Sequence, residues 1–391
     1  MKIASGVLLC LAVFSATLTS WVQARWPTSV PEAIVFTVAL AWAFAGLAGL
    51  ERLRAHLLLV PLALILLWAA IQIGLGSTSY VWRTKVAMLY WGCSLATFFV
   101  ALQVFTSSRA RDVMIQALVW FGVFVAILSP VQQIYGGDKV FWFFEPFPNF
   151  VPQFGAFPYR NQYAAFIELL IPIPLYRAMT GERGRTLNVT AAAIMYASVI
   201  AAASRMGFIL ASLEMLIVPA VLYLRGKLRA RSMRNNALLF GAVFVMLIVA
   251  AGPAEMLVKF RVPDPYAGRR EYSQASIQMI RERPLMGFGI GNWATVYPGF
   301  ALFDDTLRVN QAHDDWVQWA AEGGFPLLAI MLWIAVWAVP RAIGSGWGTG
   351  VAAIFLHCFV DYPIQRTPAA LVMMILLAAL ASSQPDASGA D

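Results

Sequence analysis

The sequence predicts an all-α fold: a polytopic membrane bundle of about twelve transmembrane helices with one long polar loop. Three observations predict it. Of the 391 residues, 60% are hydrophobic and 12% charged, against about 25% charged in an ordinary soluble domain. A mean hydropathy of +0.70 leaves too little polar surface to coat a water-soluble globule. The apolar residues also come in runs, such as 57–67 and 238–251, set within segments of the roughly 20 residues needed to cross a bilayer.

The first span is expected near 3–21. Lys2 before it and Val22-Gln23-Ala24 after it imitate a signal peptide, but the apolar stretch is long and many spans follow, so it is read as an uncleaved first helix. Four more spans are expected near 32–50, 56–75, 84–105 and 112–132. Segment 133–160 follows, with Phe141-Trp142-Phe143-Phe144-Glu145-Pro146-Phe147-Pro148 at its centre. Its aromatic and proline content reads as an interfacial loop. The next spans are expected near 161–179, 187–203, 206–224 and 236–253. Loop 254–314 is the sizeable polar region of the chain; within it 272–283 is expected to form a short helix ending before Pro284. A span near 315–339 comes next. Those near 349–362 and 367–382 are short and compatible with a re-entrant pair. The polar tail 382–391 is expected to be disordered. With no repeat, linker or low-complexity tract, residues 1–391 read as a single integral membrane domain.

Charge orients the bundle. With the N-terminus in the cytoplasm, the inside loops carry Arg52, Arg54, Arg109, Arg111, Arg177, Arg183, Arg185, Arg341 and the richest cluster, Arg225 to Arg234. The short outside loops carry fewer basic residues, as the positive-inside rule requires. Both long loops, 133–160 and 254–314, then lie on the outer face. The net charge of +8 is explained by this topology, and no basic run carries a nucleic-acid-binding module. Cys10, Cys93 and Cys358 are widely spaced in apolar segments and read as small buried hydrophobes.

Polar residues that a membrane must hold are costly and therefore informative. Several gather toward the outer face: Arg160 and Asn161, Arg205, Arg269 and Arg270, His313 and Asp314, His357 and Asp361. Arg205 is the sharpest, because the short turn Ser204-Arg205-Met206-Gly207 has no topological need for a cation. Guanidinium forks bind phosphate oxygens bidentately, so an arginine cluster here suits a diphosphate. His313 opens an apolar helix; a helix N-terminus disfavours the imidazolium form, and a neutral ring can accept a hydroxyl proton. Asp314 and Asp315, like Asp304 and Asp305, have the donor type for a metal, but acidic residues also suit the start of a helix, and no metal is expected. His357 and Asp361 are four apart and would share a helical face, either holding each other or leaving Asp361 to pair an arginine. Glu168 and Glu214 lie within spans and need partners, for which Arg160 and Arg205 are candidates. Gly287-Phe288-Gly289-Ile290-Gly291 does not fit G-x-G-x-x-G and reads as a tight turn.

Five pieces in order resemble the O-antigen ligase and polymerase superfamily of bacterial membrane glycosyltransferases. They are 157–166, which includes Tyr159-Arg160-Asn161-Gln162-Tyr163; Ser204-Arg205-Met206-Gly207; Gly268-Arg269 through Pro284-Leu285-Met286-Gly287-Phe288-Gly289; 312–324, which includes Ala312-His313-Asp314; and His357-Cys358-Phe359-Val360-Asp361-Tyr362-Pro363-Ile364-Gln365. The resemblance covers about 150–370. Ser273 stands where the family often has Trp, Gln162 where it often has His, and Asp314 where it often has Asn. The resemblance implies a GT-C-like architecture in the inner (cytoplasmic) membrane with the site facing the periplasm. It implies inverting, metal- and cofactor-independent transfer of a glycan from undecaprenyl diphosphate to lipid A–core or another acceptor. By that likeness Arg205 and Arg269, helped by Arg270 and Arg160, grip the diphosphate. His313 activates the acceptor hydroxyl, and Asn161, Asp314, His357 and Asp361 support them. A polymerase acting on lipid-linked repeats is the nearest alternative. A polyprenyl-glycan transporter or a non-catalytic assembly scaffold belongs to a different class.

Overall fold

A computed structural model describes residues 1–137, 139–146, 154–181, 184–228, 237–246, 254–261, 267–302 and 309–383. Among the described residues the fold is all-helical. In chain order the helices are α1 (Lys2–Leu18), α2 (Trp26–Leu47), α3 (Leu59–Gly74), α4 (Val81–Val104), α5 (Ser108–Tyr135), α6 (Arg160–Glu168), α7 (Pro172–Thr180), α8 (Arg185–Ala201), α9 (Arg205–Leu224), α10 (Ala237–Met246), α11 (Ala254–Phe260), α12 (Ala267–Glu282), α13 (Trp293–Val296), α14 (Asp315–Ser345), α15 (Thr349–His357) and α16 (Thr367–Ser382). Asp304 and Asp305, the basic positions Arg183, Arg229, Arg231 and Arg234, and the tail 384–391 lie outside the described residues.

Among the described residues, five helices are long and apolar enough to cross a membrane: α2, α4, α5, α9 and α14. Shorter apolar helices, α1, α3, α8, α10 and α16, accompany them. Large apolar side chains point outward along these elements, with Leu40 and Phe44 of α2 each 70% exposed and Val336 of α14 70% exposed. An outer surface this apolar belongs to a membrane protein, whose solvent on that side is hydrocarbon.

Two expected spans take a different form. The segment expected as one span over 161–179 is two nine-residue helices, α6 and α7. Pro172 and Pro174 have no N–H to continue the ladder, and the helix breaks just before them. The span expected at 349–362 is the nine-residue α15, about 14 Å long. It stops at His357, and Cys358–Asp361 follow as a turn. The helix expected at 272–283 starts earlier, at Ala267, and ends at Glu282.

Cross-chain bonds locate the helix ends. The start of α6, the start of α9, the start of α14 and the turn after α15 share one pocket or its wall. The start of α5, the end of α7, the start of α8 and the end of α16 line another, at the opposite end of the bundle.

A second, smaller core sits over the first end. Ala275, Met279, Phe288, Trp293, Tyr297, Ala312 and Ala321 form it. Trp293 Nε1 donates to Ser276 Oγ at 2.7 Å, and Glu271 accepts from the Tyr297 hydroxyl and from Leu302 N. This core is tied to a break in α14. Gly324 there has φ +66° and ψ −171°, outside the helical region. The freed carbonyls at the break are not left bare. Phe288 N donates to Ala321 O, Gly289 N to Glu322 O, and Trp68 Nε1 to Gly323 O. The Glu322 carboxylate reaches back to accept from Gly291 N and Trp293 N at 2.9 and 3.0 Å. The 287–291 segment is thus a turn, with Gly287, Gly289 and Gly291 all at positive φ, and it seals the broken helix.

A Cβ at Gly324 would stand 2.2 Å from Leu285 O, on a backbone that only glycine adopts without strain. Gly324→Ala is expected to destabilise the protein by about 2–5 kcal/mol. Gly74→Ala, which meets nothing within 4 Å, should be close to neutral. Thermal unfolding in detergent checks both; equal melting temperatures for the two variants would show that the break carries no such constraint.

Candidate active site

The site is built where helices begin. Arg160 is the first residue of α6 and Arg205 the first of α9. Ser204 caps α9, its Oγ accepting from Gly207 N and donating to Asn161 Oδ1 at 2.8 Å. Asp314 caps α14, accepting from Val317 N at 3.0 Å. Two non-glycine residues next to these starts hold left-handed backbones: Ala203 at φ +52° and His313 at φ +54°. Such conformations persist only where surrounding structure over-determines them, and they gather at functional sites.

Asp361 joins the segments. It is 4% exposed. Its Oδ2 accepts from Asn161 Nδ2 and faces Arg269 Nη2 at 3.4 Å. Its Oδ1 accepts from Tyr362 N at 2.9 Å and faces His313 Nδ1 at 3.4 Å. Arg269 Nη1 also donates to Val360 O, so the guanidinium grips both backbone and side chain of the turn. The His313 ring packs edge-on against Tyr362, 4.8 Å between centroids, and lies 6.0 Å from Tyr272 in a stacked arrangement. With Nδ1 buried against Asp361, Nε2 is the ring nitrogen left for the pocket.

That pocket, about 340 Å³, is lined by Tyr159, Arg160, Asn161, Arg205, Lys259, Arg269, His313 and Asp361, with Ala203 and Met206. Among the described residues the lining holds four cations and one carboxylate. Burial opposes the charge on Asp361, but His313, Arg269 and His357 outweigh it and hold the carboxyl well below the usual range. Asp314 moves the other way: burial raises its carboxyl from 3.8 to about 6, against the bonds from Val317 and Trp316 amides. A second pocket of about 330 Å³ adjoins the first across Arg269 and His313, lined also by Arg270, Ser273, Gln274, Phe359 and Val360.

The remaining expected residues lie behind these pockets. His357 is fully buried and its Nδ1 meets Glu168 Oε2 at 3.0 Å. It therefore pairs with α6 rather than with Asp361, and Glu168 has a histidine as its partner. Both Glu214 oxygens are buried without a partner among the described residues. Asp315 is a latch: it accepts from Ile364 N and from Gln365 Nε2, while its own amide donates to Cys358 O. Among the described residues no three His, Cys, Asp or Glu side chains converge as metal ligands. Sequence reasoning missed Tyr159, Lys259 and Tyr362 as pocket and wall residues. Tyr362 stood inside a recognised motif; Lys259, on the short α11, left no signal at all.

The raised Asp314 carboxyl sets a pH expectation. Between the unfolded value near 3.8 and the folded value near 6, the native state binds more protons, so this group's stability contribution is full below that window and lost as pH rises through it. Asparagine cannot ionise and is an equally good cap. Asp314→Asn should raise the melting temperature above pH 6, by about 2 °C or more, with the gain vanishing near pH 4. A gain that is the same at both pH values would mean that ionisation is not its cause.

Comparison with known sequences places one family on this geometry. Residues 190–332 match the family model described as O-antigen ligase. No curated protein matches the chain. The matched segment, which is less than half of the chain, supplies Arg205, Arg269, Arg270 and His313 and supports a likeness to the O-antigen ligase and polymerase superfamily.

Proposed function

We propose that the chain moves a glycan from undecaprenyl diphosphate to an acceptor hydroxyl on the periplasmic face of the bacterial inner membrane, as an inverting, metal-independent transferase of the ligase type. One observation carries the reading: four cations and His313, drawn from separate segments, meet around the buried Asp361 in one pocket.

The chemistry follows from what such a transfer needs. A glycosyl diphosphate leaves readily once its growing negative charge is met. Arg205 and Arg269, with Arg160 and Lys259 beside them, supply fixed positive charge at that position, where electrostatic preorganisation contributes most to rate. The acceptor hydroxyl attacks the anomeric carbon from the face opposite the leaving oxygen. A new C–O bond forms, the bond to the diphosphate breaks with its electron pair on the diphosphate, and the hydroxyl proton passes to His313 Nε2. Asp361 at Nδ1 orients the ring and stabilises it when it is charged, the role a carboxylate plays behind a catalytic histidine. Two pockets meeting at His313 suit two substrates: the donor diphosphate on the Arg205 side, the acceptor sugar on the side of Arg270, Ser273 and Gln274. Lipid A–core or another surface-polysaccharide acceptor fits this arrangement, and holding both substrates in line removes much of the entropic barrier.

The test is glycan output from a deletion strain complemented at matched membrane abundance. Arg205→Ala and Arg269→Ala are each expected to lower transfer about 10²–10³-fold, and His313→Ala about 10²–10⁴-fold. Long lipid-linked glycan should accumulate while the acceptor-linked product is lost. Accumulation of single lipid-linked repeats would instead make the protein a polymerase. Wild-type output from all three variants would remove the site and favour a transporter or scaffold.

A further inference from the structure

A second large cavity lies at the other end of the bundle. It holds about 870 Å³, and the 16-residue α16, about 24 Å long, separates it from the turn at Tyr362. Nothing in the transfer chemistry uses it.

Its lining is polarised along the helix axes. Toward the helix ends stand Arg111 and Asp112 of α5, Arg177 of α7, and Asn188 near the start of α8. Further into the bundle come apolar and aromatic side chains, Ile115 and Trp120 of α5 and Ile173 of α7. Trp120, nine residues beyond Arg111, is about 14 Å deeper along the same helix. Trp120 is 39% exposed, so the apolar part opens sideways onto the lipid-facing surface, and Leu187, beside Asn188 at the start of α8, is 59% exposed at the rim. Arg177 Nη1 donates to Gln116 Oε1 at 2.8 Å, which fixes its stem at the cavity wall. Among the described residues Asp112 is the one acid on the lining; it lies 3.5 Å from Arg111 and its side chain is itself 65% exposed. A smaller cavity of about 290 Å³ adjoins at Ser383 and adds Arg225 and Arg341. Among the described residues the two linings together hold four arginines, Arg111, Arg177, Arg225 and Arg341, and one carboxylate.

Cations at the rim, aromatics below them and an apolar flank open to the bilayer match one kind of occupant. We infer that this cavity binds a phospholipid with an anionic headgroup, its phosphate between Arg111 and Arg177 and its acyl chains leaving the rim beside Leu187 and running down past Ile173 and Trp120. Arginine forks suit phosphate oxygens, and basic pockets between transmembrane helices are where anionic headgroups are held. All four arginines belong to the set that the charge bias assigns to the cytoplasmic side, the leaflet surface rich in such lipids. The site ties α5, α7, α8 and α16 together at the end remote from the active centre, and the inference does not depend on the reaction proposed there.

The experiment uses the full chain, delipidated in detergent, with unfolding followed by tryptophan fluorescence during titration with short-chain phosphatidylglycerol, phosphatidylcholine or inorganic phosphate. Phosphatidylglycerol should raise the melting temperature saturably, with phosphatidylcholine much weaker and phosphate without effect. Arg111→Gln and Arg177→Gln should each raise the half-saturating concentration about tenfold or more, while Arg109→Gln, off the lining, should not. Equal responses to the two lipids, the same response with phosphate alone, or an equal loss in Arg109→Gln would each overturn the site. Should the arginine variants fail to fold, native mass spectrometry of the wild type decides: phosphatidylglycerol retained in preference to phosphatidylcholine supports the site, and no preference ends it.

Discussion

A carboxylate stripped of water is among the most expensive groups a protein can hold, and Asp361 is affordable only because three hydrogen-bond donors and the nearby His313 ring meet it. Asn161 arrives from the start of α6, Arg269 from α12, His313 from the loop before α14, and the Tyr362 amide from the turn itself. Each of these groups depends on the others. Removing the carboxylate would leave Arg269 and His313 crowded beside a cationic pocket; removing the donors would leave a buried charge, which costs several kcal/mol. The same cluster explains why His313 keeps a left-handed backbone. The ring is held on one side by Asp361 and on its edge by Tyr362, so the strained conformation is enforced from outside the residue.

Behind that cluster the scaffold is stiffened by polar chains that cross the broken helix. Gln318 Nε2 donates to Gln365 Oε1 at 3.0 Å and to Glu322 Oε1 at 3.2 Å, and its own carbonyl accepts from Ala312 N. Glu322 in turn holds the glycine turn, and Gln72 of α3 donates to Met286 O and Glu322 O. The glycine turn that follows α12, the helix of Arg269, and the helix that follows His313 are thereby held together. A fully satisfied polar network of this kind fixes geometry in a way that apolar packing alone does not.

Short helices have a use here. α6 and α15 are nine residues each, and each exposes a terminus inside the bundle rather than at its edge. Irregular backbone at membrane depth is tolerated where it is buried in protein or lines a cavity. The break between α6 and α7 and the turn after α15 meet that condition, since Glu168 and His357 bond across them with neither exposed. The opposite end of the bundle has arginines at the rim of a cavity lined by α5, α7, α8 and α16.

What the sequence determined by itself was whatever local pattern controls. Runs of apolar residues dictated helices, because a backbone in hydrocarbon must satisfy its own hydrogen bonds. Arg205 in a turn of a few residues, and His313 before an apolar helix, stood out as candidates from local pattern alone. The glycine turn was legible because its spacing fits no phosphate loop. What only the tertiary structure decided was pairing. His357 and Asp361 are four apart, but the helix ends at His357, so the shared face implied by that spacing does not exist. His357 instead meets Glu168, 189 residues away in sequence, and Asp361 meets Arg269 and His313. Lys259 enters the pocket from a seven-residue helix whose composition announces nothing. Local periodicity fixes which way a side chain can point along its own element; which charge it finds there depends on how distant elements pack, and no run of neighbouring residues records that.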